Sequence, residues 1–149
     1  MTRTEALEAL ARMPDRLDAW ARSLRPEALR VRPLPEEFAP LEHLWHLAEL
    51  EEIFALRLQR LRDEDHPHLA DFHGDTAAVE GRYRERDVEG ALHRFRQARS
   101  ANLAAFAALT EAQWHRGGTQ EAVGEVVLAD LPGRMADHDQ SHTLAFQEP

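Results

Sequence analysis

The sequence of 149 residues contains no cysteine and no lysine. Without cysteine there is no disulfide framework and no thiolate to bind a metal, and any nucleophilic thiol must arrive with a substrate. Without lysine, Schiff-base chemistry is excluded, and all 18 basic residues are arginine. Basic charge is itself scarce, since 27 acidic residues set the formal net charge at −9. A surface of that sign repels phosphate backbones, which argues against nucleic-acid binding as the main role. No apolar run approaches the ~20 residues that a membrane helix needs. The stretch Met1-Thr2-Arg3-Thr4-Glu5 leads straight into an amphipathic segment, without the apolar h-region of a signal peptide. A cytoplasmic protein with no membrane partner is expected.

What is present is a globular composition, 43% hydrophobic and 30% charged, in a chain long enough to bury a core as one domain over residues 1–149. Leu7, Leu10, Leu17, Trp20 and Leu24 recur at helical spacing and predict a first helix over residues 4–24. Pro14 lacks a backbone donor and crowds the preceding turn, so a kink is expected there, or two helical pieces with Pro14 opening the second. Pro26, Pro33, Pro35 and Pro40 bar regular helix from residues 25–40 and predict an extended connection. A second helix is expected over residues 41–61, with Pro40 at its first turn and Leu47, Leu50, Phe54, Leu58 and Leu61 as its buried stripe.

Residues 62–86 read as a long polar connection, a crossover or a functional loop, with a short helical turn around Ala77 to Tyr83. Asp87 is a suitable N-cap for a third helix reaching Leu109, whose core face carries Leu92, Phe95, Leu103 and Phe106 with Arg99 in its middle. A turn region from Trp114 to Gly124 precedes a fourth helix, over residues 125–146, that Pro132-Gly133 should bend. Four amphipathic helices, no convincing strand and one long crossover define an all-α four-helix bundle.

The last helix carries His138 and His142 four residues apart. Residues at that spacing lie on one face, so both imidazoles can aim at a single ion; the bland alternative is a polar face on a surface helix. A transition metal needs a third ligand, and His46 in the stretch Glu42-His43-Leu44-Trp45-His46-Leu47-Ala48-Glu49 offers one. Three neutral imidazoles with open positions suit a catalytic site for a divalent transition metal, zinc or nickel favoured, iron or cobalt the alternatives. His43 reads as a core or rim histidine that could orient substrate, with a metal ligand the alternative, and Glu49 as a solvated charge, a group supporting the ligands or a general base. These two are the candidate catalytic residues. Arg99 calls for a buried carboxylate, Glu49 or Asp139. Asp139 itself points about 100° away from His138, either exposed or paired with another helix. His66, His68 and His73 are solvated loop residues or a second metal cluster, and Trp20, Trp45 and Trp114 are packing residues.

In their order, Arg32-Pro33-Leu34-Pro35, Leu41-Glu42-His43-Leu44-Trp45-His46-Leu47-Ala48-Glu49-Leu50-Glu51, Phe95-Arg96-Gln97-Ala98-Arg99, Trp114, Gly124 and His138-Asp139-Gln140-Ser141-His142 resemble the DinB-like superfamily over nearly the whole chain. That superfamily includes the YfiT-type metal hydrolases and the bacillithiol and mycothiol transferases. The resemblance implies an up-down-down-up bundle, often dimeric, with a divalent metal held by His46, His138 and His142. It departs from the family pattern at the extra histidine His43, at Ala145 where many relatives have glutamine, and at Pro132-Gly133. The function implied is transfer of a low-molecular-weight thiol to a small electrophile. A metal hydrolase, and a non-catalytic, stress-associated metal-binding homodimer, are the alternatives.

Overall fold

The computed structural model describes residues 1–146, the side chain of Ala145 excepted; the end of the expected 1–149 domain lies outside that range. In chain order the helices are α1 (Arg3–Ser23), α2 (Pro40–Asp63), α3 (Gly74–Glu80), α4 (Val88–Ala107), α5 (Glu111–Trp114) and α6 (Leu131–Phe146). The strands are β1 (His68–Leu69), β2 (Gly117–Gln120) and β3 (Gly124–Val127).

Local chemistry sets the helix starts. Thr2 and Glu5 form a capping box at α1. At α2, Pro40 occupies the first turn, where its missing donor costs nothing, and the Glu42 carboxylate accepts from the Ala39 N–H at 3.0 Å. The same carboxylate takes the Arg32 guanidinium at 2.7 and 2.8 Å, which ties the proline-rich connection to α2. Asp87 caps α4 by accepting from the Gly90 N–H.

Contacts between helices fix their directions. On α1 and α6, Leu10 and Asp139 meet the same arginine while Trp20 stacks on Phe146, so these two helices run parallel. Arg96 binds Asp15 and Asp18, and Arg22 binds Glu89, so α4 runs against α1. Trp45 donates to the Asp87 carbonyl and Arg94 binds Glu52, which makes α2 and α4 parallel and requires a crossover between them. The result is an up-down-down-up four-helix bundle of α1, α2, α4 and α6. Among the described residues no helix is long and apolar enough to cross a membrane.

Three expectations need correction. First, α1 runs unbroken through Pro14, which is buried. A proline at this position deprives the Leu10 carbonyl of its helical partner, and the Arg99 guanidinium supplies a replacement by donating to that oxygen at 2.9 Å. Second, strands exist: β1 pairs parallel with β2, and β2 pairs antiparallel with β3, as a three-stranded sheet joining the crossover to the segment before α6. Gly118 permits this, because a Cβ there would stand 2.3 Å from the Pro67 carbonyl oxygen. Third, residues 124–127 belong to β3, so the last helix starts at Leu131, later than expected. Pro132 therefore falls in its first turn, where backbone donors have no intrahelical partner anyway, and it opens the helix rather than bending it. The 62–86 connection is also more regular than its polarity suggests, holding β1, α3 and a 3₁₀ turn at Tyr83–Glu85.

Candidate metal centre

At one end of the α2/α6 face, His46, His138 and His142 converge, with one nitrogen from each ring within 4.8 Å of the others. His46 Nε2 lies 3.4 Å from His138 Nε2. Two imidazole nitrogens, each about 2.1 Å from a tetrahedral ion, stand about 3.4 Å apart, so this separation fits a shared ion. The antiparallel run of α2 and α6 creates the convergence: α6 presents His138 and His142 one turn apart, and α2 presents His46 opposite them.

His43 Nδ1 lies 2.8 Å from His142 Nδ1. One of the two donates and the other accepts, which turns the Nε2 of His142 away from His43. His43 is thus in contact with a candidate ligand, a closer role than that of a rim histidine. The Nδ1 of His46 is buried with no partner among the described residues, so no hydrogen bond at that nitrogen fixes the tautomer of the ring. Aromatic side chains wall the cluster. Phe72 stacks on His46 at 5.9 Å, and Phe38 meets His43 and His46 edge-on at 5.4 and 5.6 Å. The start of α3 closes over His46, since a Cβ on Gly74 would stand 2.6 Å from His46 Cε1.

Burial suppresses protonation throughout the cluster. It pushes His46 down to about 4, helped by His138 and His43. It pushes His43 to about 4 against the attraction of Glu42, and His142 to about 2 with help from its three histidine neighbours. His138 is lowered by burial against Glu51, with Arg99 and Arg57 reinforcing the shift. All four rings are neutral at pH 7, and a neutral imidazole is the form that ligates a metal.

The other candidates lie apart. Glu49 accepts from the Tyr83 hydroxyl at 3.0 Å and faces Arg86 at 3.9 Å. Arg99 pairs with Asp139, as one expectation had it, and with Glu51 in place of Glu49. Register explains the substitution: Glu51 is two residues beyond Glu49 and so about 200° around the helix, on the face turned to α4. Asn102 adds a bond to the same carboxylate at 2.8 Å. Asp139 is buried by this network. The loop histidines are dispersed: His66 faces Glu125, His68 bonds Thr119, and His73 precedes α3. Trp114 stacks on Phe106 and Trp20 on Phe146, so both are packing residues as expected. Phe38, Phe72 and Gly74 were not legible as site residues, because only the folded connections bring them to the histidines.

An up-down-down-up bundle with three converging histidines defines a class of four-helix-bundle proteins, and the family can be named. Residues 9–145 match the model of the DinB superfamily, and the chain belongs to it. Among solved structures it is similar to YfiT from Bacillus subtilis, with a TM-score of 0.86, 16% identity, and 94% of this chain and 81% of that chain covered. YfiT is described as a probable metal-dependent hydrolase with an unusual four-helix bundle topology. The four-helix bundle protein TT2238 is also similar, with a TM-score of 0.72, 24% identity and 98% of each chain covered. Comparison with curated proteins returns no match.

Proposed function

We propose that His46, His138 and His142 hold a divalent transition metal, zinc or nickel before iron or cobalt, in an enzyme acting on a small electrophilic substrate. The observation that carries this reading is the convergence of three neutral imidazoles from two helices at a separation that suits one ion. When bound, such an ion lowers the pKa of a coordinated water or thiol and makes a nucleophile available at neutral pH. His43 holds the ring of His142, Phe72 and Gly74 hold that of His46, and the aromatic wall excludes water from one side. Glu49 is occupied by Tyr83, so the general-base role considered for it has no support in its contacts.

A low-molecular-weight thiol is the first choice of nucleophile, because the chain has no cysteine of its own and the transferases it resembles use such thiols. Water is the second, supported by the description of YfiT as a probable metal-dependent hydrolase. The homodimer implied by the resemblance belongs to the same proposal, and sedimentation equilibrium reads it directly.

The test starts with metal content by mass spectrometry on untagged protein purified without chelator, beside His142→Ala. Near-stoichiometric metal in the parent and its loss in the variant are expected. A parent that folds yet stays empty after incubation with zinc, nickel or iron sinks the proposal. Loaded protein is then offered standard electrophiles with glutathione, bacillithiol or mycothiol, and hydrolysable esters with no thiol. Turnover only with a thiol identifies the transferase, and turnover without one identifies the hydrolase.

A further inference from the structure

Beyond the histidines, the same α2/α6 face carries two arginines that take no part in the buried ion-pair network. Arg57 is eleven residues past His46, which at about 100° per residue returns it to within about 20° of the same direction. Arg134 is one turn before His138 on α6. Because α2 and α6 are antiparallel, the two guanidinium groups come together on the side of His138 away from His142, and they line a common recess with Leu61, Leu69, Gln120 and Val126.

Arg94 and Arg99 are each matched by carboxylates, whereas neither Arg57 nor Arg134 forms an ion pair with a described carboxylate. Asp71 attracts Arg57 from beyond ion-pair distance, and its side chain accepts from Gln120. Arg57 donates one bond to the Ala70 carbonyl at 3.2 Å and lies over the Phe54 ring, and its Nε is buried with no partner among the described residues. Burial and the charge of Arg134 both work against the positive charge of Arg57. Two cations held together on a half-buried, largely apolar surface, one with an orphaned donor, form an incomplete arrangement, since buried charge is ordinarily paired. The recess of about 10 Å³ has room for roughly one oxygen-sized group.

We propose that Arg57 and Arg134 form an anion-binding subsite whose recess takes one oxygen of a carboxylate or phosphate group of the substrate, on the same α2/α6 face as the histidine cluster. The planar guanidinium fork matches either group, and the apolar walls strengthen the pairing by excluding water. As a substrate subsite it rests on the metal-centre reading above; as an anion site it stands without it. The enzyme's substrates would then be small anionic electrophiles.

Inorganic phosphate and acetate serve as probes, each titrated by calorimetry into the parent protein, Arg57→Gln and Arg134→Gln, with metal content measured separately. Binding of at least one anion by the parent, weakened about tenfold or more in both variants, is expected; the tighter probe names the group. The melting temperature of Arg134→Gln should stay level or rise, because a like charge is removed, whereas an arginine with a purely structural role would lower it. Parent protein that binds neither anion, or variants that bind as tightly as the parent, overturns the subsite. Should one variant fail to fold, the other decides. A protein that binds the anions but no metal keeps the anion site and removes the catalytic reading, so the two failures are distinguishable. Retention of phosphate binding in His142→Ala would further separate the subsite from the metal ligands.

Discussion

His43 and His142 share one hydrogen between their Nδ1 atoms, so the ring that faces the cluster is oriented by a ring that does not belong to it. Partners that orient a ligand in this way typically account for 10–100-fold of metal affinity. His43→Ala should therefore weaken zinc binding by roughly that factor, read by competition with a chromophoric chelator, while the helical circular dichroism stays intact. An unchanged affinity would mean that the contact is packing alone. Arg99 is the other residue whose loss reaches further than its own contacts. It is 1% exposed and satisfies Glu51, Asp139 and the Leu10 carbonyl together. Arg99→Met fills much the same space but strands two buried carboxylates and a carbonyl, and should cost about 3–5 kcal/mol in urea unfolding. A loss below 1 kcal/mol would show that water reaches those groups.

At the scale of elements, the small sheet is the least helical part of the molecule and positions much of the rest. It pairs His68 with Thr119 and Leu69 with Gln120, which holds the crossover against the segment leading into α6. Gly118→Ala brings a methyl group to 2.3 Å from the Pro67 carbonyl oxygen, and backbone cannot swing aside as a side chain can. Faster amide exchange in residues 68–69 and 117–120, and a lower melting temperature, are expected; exchange unchanged from the parent would remove the sheet from this role. Elements such as these mark the limit of the sequence. The start of α2 at Pro40 and the Asp87 cap are legible because they depend on neighbours within a few residues. The strands are not, since β1 is only two residues long and finds its partner about fifty positions away, while β2 and β3 are four-residue pieces that each open on glycine and pair across a short turn. Pro132 misled for the same reason: the proline reads as a helix breaker until β3 is known to end just before it. In the site, the i, i+4 spacing made His138 and His142 legible, and motif register did so for His46. The contact of His43 with His142 spans two helices and leaves no trace in either.

For the whole molecule, keeping a cluster of histidines neutral makes stability depend on pH. In the unfolded chain each takes up a proton near the ordinary value of about 6.5. In the folded, metal-free protein His43 and His46 wait until about pH 4, and His142 until about 2. Between those values the unfolded state binds more protons, so stability rises with pH and falls on acidification. Each such ring contributes at most ~1.4 kcal/mol per pH unit, less where it is open to solvent. Metal-free protein should lose melting temperature steadily from pH 7 to pH 4, and replacing His43 with phenylalanine should flatten the slope. A profile level across that range would place the rings in contact with water.

Pro14 and Arg99 are linked through one oxygen, the Leu10 carbonyl, which the proline frees and the arginine takes up. Their exchange is therefore a matter of order. A lineage that lost Arg99 first would carry an orphaned carbonyl inside α1 together with two stranded acids. One that replaced Pro14 first would restore the helical bond to Leu10 and lighten the later loss. Substitution at position 99 should thus be found in the company of a non-proline at position 14, and much less often before it.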